Sequence, residues 1–490
     1  MKRLIWIGLM ALMLAVVAAQ CGAPAQLAVT ENDQAAEEPD PAEAAEVEET
    51  APEPEEAAPA ETSADETGEQ AADAEAVAAE NSPEEDASPE EAAAESDTGA
   101  AETATESDTQ AATHTEANCD DPFAGVENMR FQPEIWKAEQ ISRFVGPELV
   151  DPESGLETNF CKHSVDYAEI LSGGPPPDGI PPIDNPTFDS IETGDEWLSD
   201  VSPVIALSVG DEAKAYPLGI LTRHEIANDE IDGMPVAVTF CPLCNAGIVF
   251  NREVDGQVLR FGVSGNLRNS DLVMWDDKTL SWWQQFTGQA IVGEMTGTQL
   301  EMIPAQMVAW KDFKAAHPDG VVLSNNGRNY TVNPYTGYDS SSRPFLFLGT
   351  PDDRLHATQR VLGYHKGDTA IAYPLPVIAE EKVIEDTIDG RDVVIFYEPG
   401  QVSALDKSRI EDSKEVGSAG MFIPVVDGQP LTFGYEDGKI VDHETGSEWD
   451  VFGRAVSGEL EGAALEPVLS HTHFWFAWAA FRPDTQLYGS

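Results

Sequence analysis

The sequence predicts an α+β fold: two similar β-rich units from an internal duplication, preceded by a disordered acidic linker. Three observations carry this expectation. Short motifs recur in the same order at offsets of 157 to 166 residues. The segments that hold them are short β-prone runs punctuated by Gly and Asp turn signals. Residues 22 to 118 hold 30 acidic side chains and no Lys, Arg or aromatic residue, so no core offsets the entropy of ordering them.

Residues 1–21 read as a signal peptide with a lipobox-like end. Lys2 and Arg3 precede an uncharged apolar run, Leu4 to Ala19, which is short for a helix that stays in the bilayer. Small residues then lead to Cys21, the expected lipidation site, although Gln20 departs from the usual Gly, Ala or Ser. A lipid there tethers the protein to the membrane without spanning it. The expected location is extracytoplasmic, on the cell membrane. Residues 22–118 form the Ala/Glu/Pro-rich linker, extended by its like charges.

Net charge is -62, from 89 acidic and 27 basic residues. Removing the linker's 30 acids still leaves 59, so the remainder is strongly acidic. Nucleic-acid binding needs a basic face and is excluded as an expectation.

Residues 119–200 read as an extended lead-in, because the Gly/Pro-dense run Ser172 to Pro182 holds neither helix nor central strand. Residues 201–324 form the first repeat unit. Val204 to Val209 and Ala213 to Leu218 read as strands about a Gly210-Asp211 turn. Leu221 to Asn228 reads as a helical turn with His224 and Asn228 on one face and Glu225 beside them. Val236 to Phe240 reads as a strand running into Cys241-Pro242-Leu243-Cys244, and Ala305 to Ala316 as a closing helix. Residues 325–362 are an aromatic-bearing connector, with Tyr335 and Tyr338 as cleft-lining candidates. Residues 363–490 form the second unit. There Gly367 to Leu375 repeats Gly210 to Leu218, and Thr445, Ser447 and Trp449 repeat Thr279, Ser281 and Trp283.

The second unit lacks the cysteines. Glu398 falls opposite Cys241, and Gln401 opposite Cys244. Three readings of the pair stay open. Cys241 and Cys244 are a catalytic redox pair, cycling between dithiol and disulfide. Alternatively they are a half-site for zinc or copper, completed by His224 and His473, with His471 the other histidine at that place. Or they form a structural disulfide, as exported proteins allow. Cys119 and Cys161 are the economical partners for a further disulfide, one of three pairings open to four cysteines.

Several stretches carry a family resemblance: Ser172-Gly173-Gly174-Pro175, Asp178-Gly179-Ile180-Pro181, Ala215-Tyr216-Pro217-Leu218, His224 to Asp229, Phe240 to Cys244 and Ser264 to Asp271. Together they resemble the uncharacterised bacterial and archaeal family called domain of unknown function 3179, over about residues 160 to 490. The resemblance implies an exported or membrane-associated protein and singles out His224, Glu225, Asn228, Cys241 and Cys244. Cys161 stands where the family has a serine, which implies a paired gain with Cys119 as a structural disulfide.

The reading that follows is an exported lipoprotein with a thiol-redox or metal site at the Cys-Pro-Leu-Cys motif. The alternative is a non-catalytic binding or scaffold module with a ligand cleft between the units. A hydrolase using Asp276, Asp277 or Glu294 is the third. The sequence leaves open whether the chain is an enzyme, and which small molecule, metal or thiol is its partner.

Overall fold

A computed structural model of the chain describes residues 119–127 and 129–489. The expected signal peptide, Cys21 and the acidic linker lie outside the described residues. Strands carry the architecture. Among the described residues no α-helix is longer than the eight of Ala138–Val145, and none is long and apolar enough to cross a membrane.

The first half opens with an antiparallel hairpin, Pro203–Val209 (β1) and Glu212–Pro217 (β2). Gly210 takes φ +55° at its turn, a conformation glycine adopts without steric cost. Pro217 then caps a short helix, Leu218–His224 (α1). Glu225 ends that helix with φ 59° and sends the chain off as a strand, Ile226–Ile231 (β3). Asn228 therefore lies on a strand paired with Ala237 and shares no helical face with His224. The helical spacing of the sequence holds only as far as His224, because Ile226 to Ile231 pairs along its whole length with Met234 to Thr239.

Asp232 and Gly233, both at positive φ, make the two-residue turn into Met234–Cys241 (β4). Ala246–Asn251 (β5) returns beside it, with Cys241 opposite Ala246. A second sheet follows, built on Phe261–Arg268 (β6), Asp271–Asp276 (β7) and Trp282–Gln284 (β8). The expected closing helix is split. Gln306–Ala309 (β9) pairs with β1, and only Trp310–Ala316 (α2) is helical.

The second half runs in the same order. Its elements are Arg360–Lys366 (β10), Thr369–Pro374 (β11), Leu375–Glu381 (α3), Val383–Ile388 (β12), Arg391–Glu398 (β13), Ser418–Ile423 (β14), Lys439–Asp442 (β15), Glu448–Trp449 (β16), Ser470–Phe474 (β17) and Trp475–Phe481 (α4). The sheet orders match. β9-β1-β2 continues into a parallel strand, Val321–Leu323, as β17-β10-β11 continues into Gln486–Leu487; the first sheet carries one strand more, Phe188–Ser190, beyond it. Specific contacts match too. Tyr216 donates to Asp229 at 2.7 Å, and Tyr373 to Asp386 at 2.7 Å. The indole of Trp283 donates to Asp276 at 2.9 Å, and that of Trp449 to Asp442 at 3.0 Å.

The lead-in is more ordered than its composition suggests. Phe131, Trp136 and Tyr167 bury themselves against Trp275 and Trp282 of the first half. The largest hydrophobic cluster takes Phe240 and Phe250 from the first half and Phe474, Trp475 and Phe476 from the second. The cysteine turn sits inside that shared core.

Candidate metal centre

The thiols are held by a tight reversal between β4 and β5. Asn245 N–H donates to Pro242 O at 3.4 Å, and Asn245 adopts φ 49° to close the turn. Phe474 N–H of β17 donates to Cys244 O at 2.9 Å, so the second half fastens the turn from outside. Both thiols are free and buried, with Cys241 2% exposed and Cys244 fully enclosed.

Asp271 meets them. Asn269 and Ser270 both take positive φ (52° and 68°) in the two-residue turn between β6 and β7. That geometry suits the right-handed twist of a hairpin. It delivers Ser270 O to 3.8 Å from Cys241 Sγ and sets Asp271 beside the pair. Ligand atoms of Cys241, Cys244 and Asp271 all lie within 4.8 Å of one another. Asp271 Oδ2 accepts from Gln284 Nε2 at 2.6 Å and from Phe286 N–H at 2.9 Å. Its Oδ1 is buried with no hydrogen-bond partner.

The electrostatics are those of crowded acids in an apolar shell. Burial pushes Asp271 up to about 7, against hydrogen bonds that favour its ionised form. Burial pushes Glu225 up to about 8, and the charge of Asp271 adds to that. Burial likewise raises both thiols, with Asp271 again contributing. Among the described residues Asp271 has no ion pair. Tyr335 and Tyr338 of the connector close in from the other side. Burial raises both phenols, and Glu225 adds to the shift of Tyr335 as Cys244 does to that of Tyr338.

The structure brings together Cys241, Cys244 and Asp271, with Glu225 adjacent in charge, and does not bring in the histidines. His224 is turned away, with Nδ1 2.8 Å from Pro181 O and Nε2 2.8 Å from the Tyr330 hydroxyl. His471 and His473 lie on β17, which leads directly into α4, so their side chains share one face. The ring of His473 packs against Phe286 at 4.4 Å between centroids, and neither histidine belongs to the thiol group. Burial lowers His471 to about 4 and His473 well below the usual imidazole value.

Asn228 is a clamp between strands. It donates to Asp184 Oδ1 at 2.9 Å and Phe261 O at 2.8 Å, and accepts from Phe261 N–H at 3.0 Å. Cys119 and Cys161 are joined in a disulfide. The hydrolase candidates are engaged structurally. Asp276 binds the Thr279 turn and Trp283, Asp277 pairs with Lys278, and Glu294 pairs with Lys162. In the second half Glu398 pairs with Lys311 at 3.4 Å, and Gln401 lies 3.0 Å from Ser418 Oγ.

Asp271 is the site residue that the sequence did not single out. It stood at the end of the quoted Ser264 to Asp271 stretch. An acid opening the apolar run Leu272 to Trp275, just after an Asn-Ser turn, is the signal that marks it.

The family described as "Protein of unknown function (DUF3179)" matches residues 177–485, which is more than half of the chain. The chain belongs to this family. The DUF3179 match takes in both halves, the cysteine turn, Glu225 and Asp271. No curated protein and no solved structure matches the chain.

Proposed function

We propose that the protein is an exported lipoprotein whose first half binds one thiophilic metal ion, zinc or copper, through Cys241, Cys244 and Asp271. One observation carries the reading: three buried acidic donors converge within 4.8 Å, and no cationic side chain pairs with Asp271 among the described residues. Burial holds these acids toward their neutral forms because no cation lies beside them, and a metal ion would supply that charge and ionise the thiols. Zinc ligands at about 2.0–2.3 Å stand about 3.5 Å apart, which small side-chain shifts from this arrangement reach. Thiolate donors favour zinc and Cu(I) over hard cations. Three protein donors leave a fourth position for an exogenous ligand, with Glu225 as the further acid nearby.

The other two readings have less support. A redox thiol needs a lowered pKa, and burial beside a carboxylate works the other way. A structural disulfide fits poorly with free Cys241 and Cys244 in a chain that bridges Cys119 to Cys161. That bridge in turn supports export, since disulfides persist outside the cytoplasm. We also infer an internal duplication, supported by the matching sheet orders and the paired Tyr–Asp and Trp–Asp contacts.

The test is elemental analysis of protein purified without chelators. About one zinc or copper per chain is expected, and Asp271→Asn and Cys241→Ser should each lower the content. Wild-type protein that carries no metal, and takes none up after reduction, would sink the reading.

A further inference from the structure

The sheet that carries β10 and β17 gathers bases on one face. His471 lies opposite Gly363 and His473 opposite Val361, so His365, two residues on from Gly363, projects from the same side. Helix α4 covers that face. Trp478 lies where a side chain on Gly363 would stand, and its ring stacks on His473 at 5.6 Å between centroids. Arg482 follows α4 directly. The rings of His471 and His473 are 6.0 Å apart. His471 Nε2, His473 Nδ1 and Arg482 Nε are all buried without a hydrogen-bond partner. Arg482 Nη1 donates to Phe481 O at 2.8 Å, and no carboxylate pairs with the guanidinium among the described residues. Its charge reaches both His473 and His365. Asp368, at the exposed turn after β10, also acts on His365, but less than Arg482 does. In a chain of net charge -62, this face is a local reversal of sign.

The first half shows how the same places are satisfied without a ligand. Ser208 stands in β1 where His365 stands in β10. His317 stands where Arg482 does, each ending its helix with nearly the same backbone angles (φ -133°, ψ 71° and φ -137°, ψ 69°). Those two residues satisfy each other, with Ser208 Oγ 3.3 Å from His317 Nε2. Gln306, in the place of His471, donates to Val451 O at 3.1 Å. The second half puts a base at all three places, and Arg482 Nε is left with no partner. Buried donors are normally paired, so the second half wants an acceptor that the chain does not supply.

We propose that these bases bind one tetrahedral oxyanion of the phosphate or sulfate type. Arg482 supplies the full positive charge, and neutral His471 and His473 each donate one N–H. His365 marks the solvent side. Four oxygens suit donors that come from β10, β17 and the end of α4, which a single-atom halide meets less fully. The site shares no residue with the metal centre and does not depend on it.

Calorimetric titration of the full chain with inorganic phosphate and with sulfate tests this, at an ionic strength held constant with sodium chloride. A single ion should bind per chain, and it should raise the melting temperature where chloride does not. Arg482→Gln should weaken phosphate at least about tenfold, as loss of a charged donor does. His365→Ser combined with Arg482→His installs the pair that the first half already accommodates. That double variant should stay folded and lose the response to phosphate. Glycerol phosphate identifies the source: binding as tight as that of phosphate assigns a phosphate ester, and much weaker binding assigns the free ion, and each supports the site. The proposal is overturned by no binding of phosphate or sulfate up to about 10 mM, by equal stabilisation with chloride, or by unchanged phosphate affinity in either folded variant. If circular dichroism shows a variant to be misfolded, the contrast of phosphate with chloride on the natural chain still decides.

Discussion

Arg360 Nη2 donates to Asn245 Oδ1 across 3.3 Å, from the first residue of β10 to the residue that follows Cys244. The same guanidinium bonds Ser403 Oγ at 2.9 Å and Asp339 Oδ2 at 3.2 Å, and lies over the ring of Phe474. One buried cation thus ties the cysteine turn, the connector and the second half together. Removing it leaves Asp339 buried with only Lys414 as a cationic partner. Arg360→Met should cost about 3 kcal/mol in urea unfolding, the low end for breaking a buried ion pair. It should also loosen the turn and weaken metal binding. Unchanged stability with unchanged metal affinity would show that the contact positions nothing.

Asp271 and Glu225 give the metal-free protein an unusual pH dependence. Burial raises both folded-state pKa values, to about 7 and about 8. Below the unfolded values near 4 both states are protonated, and these groups cost nothing. As pH rises through the window from about 4 to about 8, the unfolded chain ionises first, so stability falls. Chelator-treated protein should therefore melt at lower temperature at pH 8 than at pH 5, unlike a protein held by salt-bridged carboxylates. Asp271→Asn should flatten that slope and raise the stability of the metal-free form at pH 8 by roughly 1–3 kcal/mol. Added zinc should reverse the slope in wild type only. A metal-free melting temperature that rises steadily from pH 5 to 8 would contradict these shifts.

How much of this was legible follows from what each residue needs. The cysteines were visible because thiols are rare in the chain and the otherwise similar second half has none. Asp271 was not, being one of 89 acids, and it reaches the thiols only through the turn at Asn269 and Ser270. His224 carried a persuasive spacing but is held by Pro181 and Tyr330, contacts between segments far apart in sequence. Helical periodicity misled at Asn228 and at Ala305 to Ala309 because short apolar runs suit either structure, and tertiary pairing chose strands. Tyr216 and Trp283, which the sequence matched to Tyr373 and Trp449, make side-chain contacts to Asp229 and Asp276 of the same kind that Tyr373 and Trp449 make to Asp386 and Asp442.

Thiol reactivity separates metal binding from redox work. Both sulfurs are buried and pushed toward the unreactive thiol form, so native protein should react with a thiol reagent far more slowly than unfolded protein. Two thiols per chain should appear on denaturation without a reductant. A chelator should speed the native reaction, and zinc should slow it again. Rapid native labelling, or a disulfide that forms and reverses with mild oxidants, would favour the redox reading.

The Cys119–Cys161 bridge closes a loop of 42 residues around the segment that lays Phe131 and Phe160 against Trp282, with Phe123 packed on both phenylalanines. A loop of that length should cost up to about 4 kcal/mol when opened, on the chain-entropy account. Because the bridge spans only the lead-in, the loss should be local. Cys119→Ser with Cys161→Ser should expose residues 119 to 165 to limited proteolysis while the 200–489 body stays resistant and keeps its metal. The same variant separates this bridge from the other thiols, since two free cysteines should still titrate after unfolding. Cooperative loss of the whole fold would instead mean that the lead-in is part of one unit with the first half, and that Trp275 and Trp282 cannot hold their sheet without it.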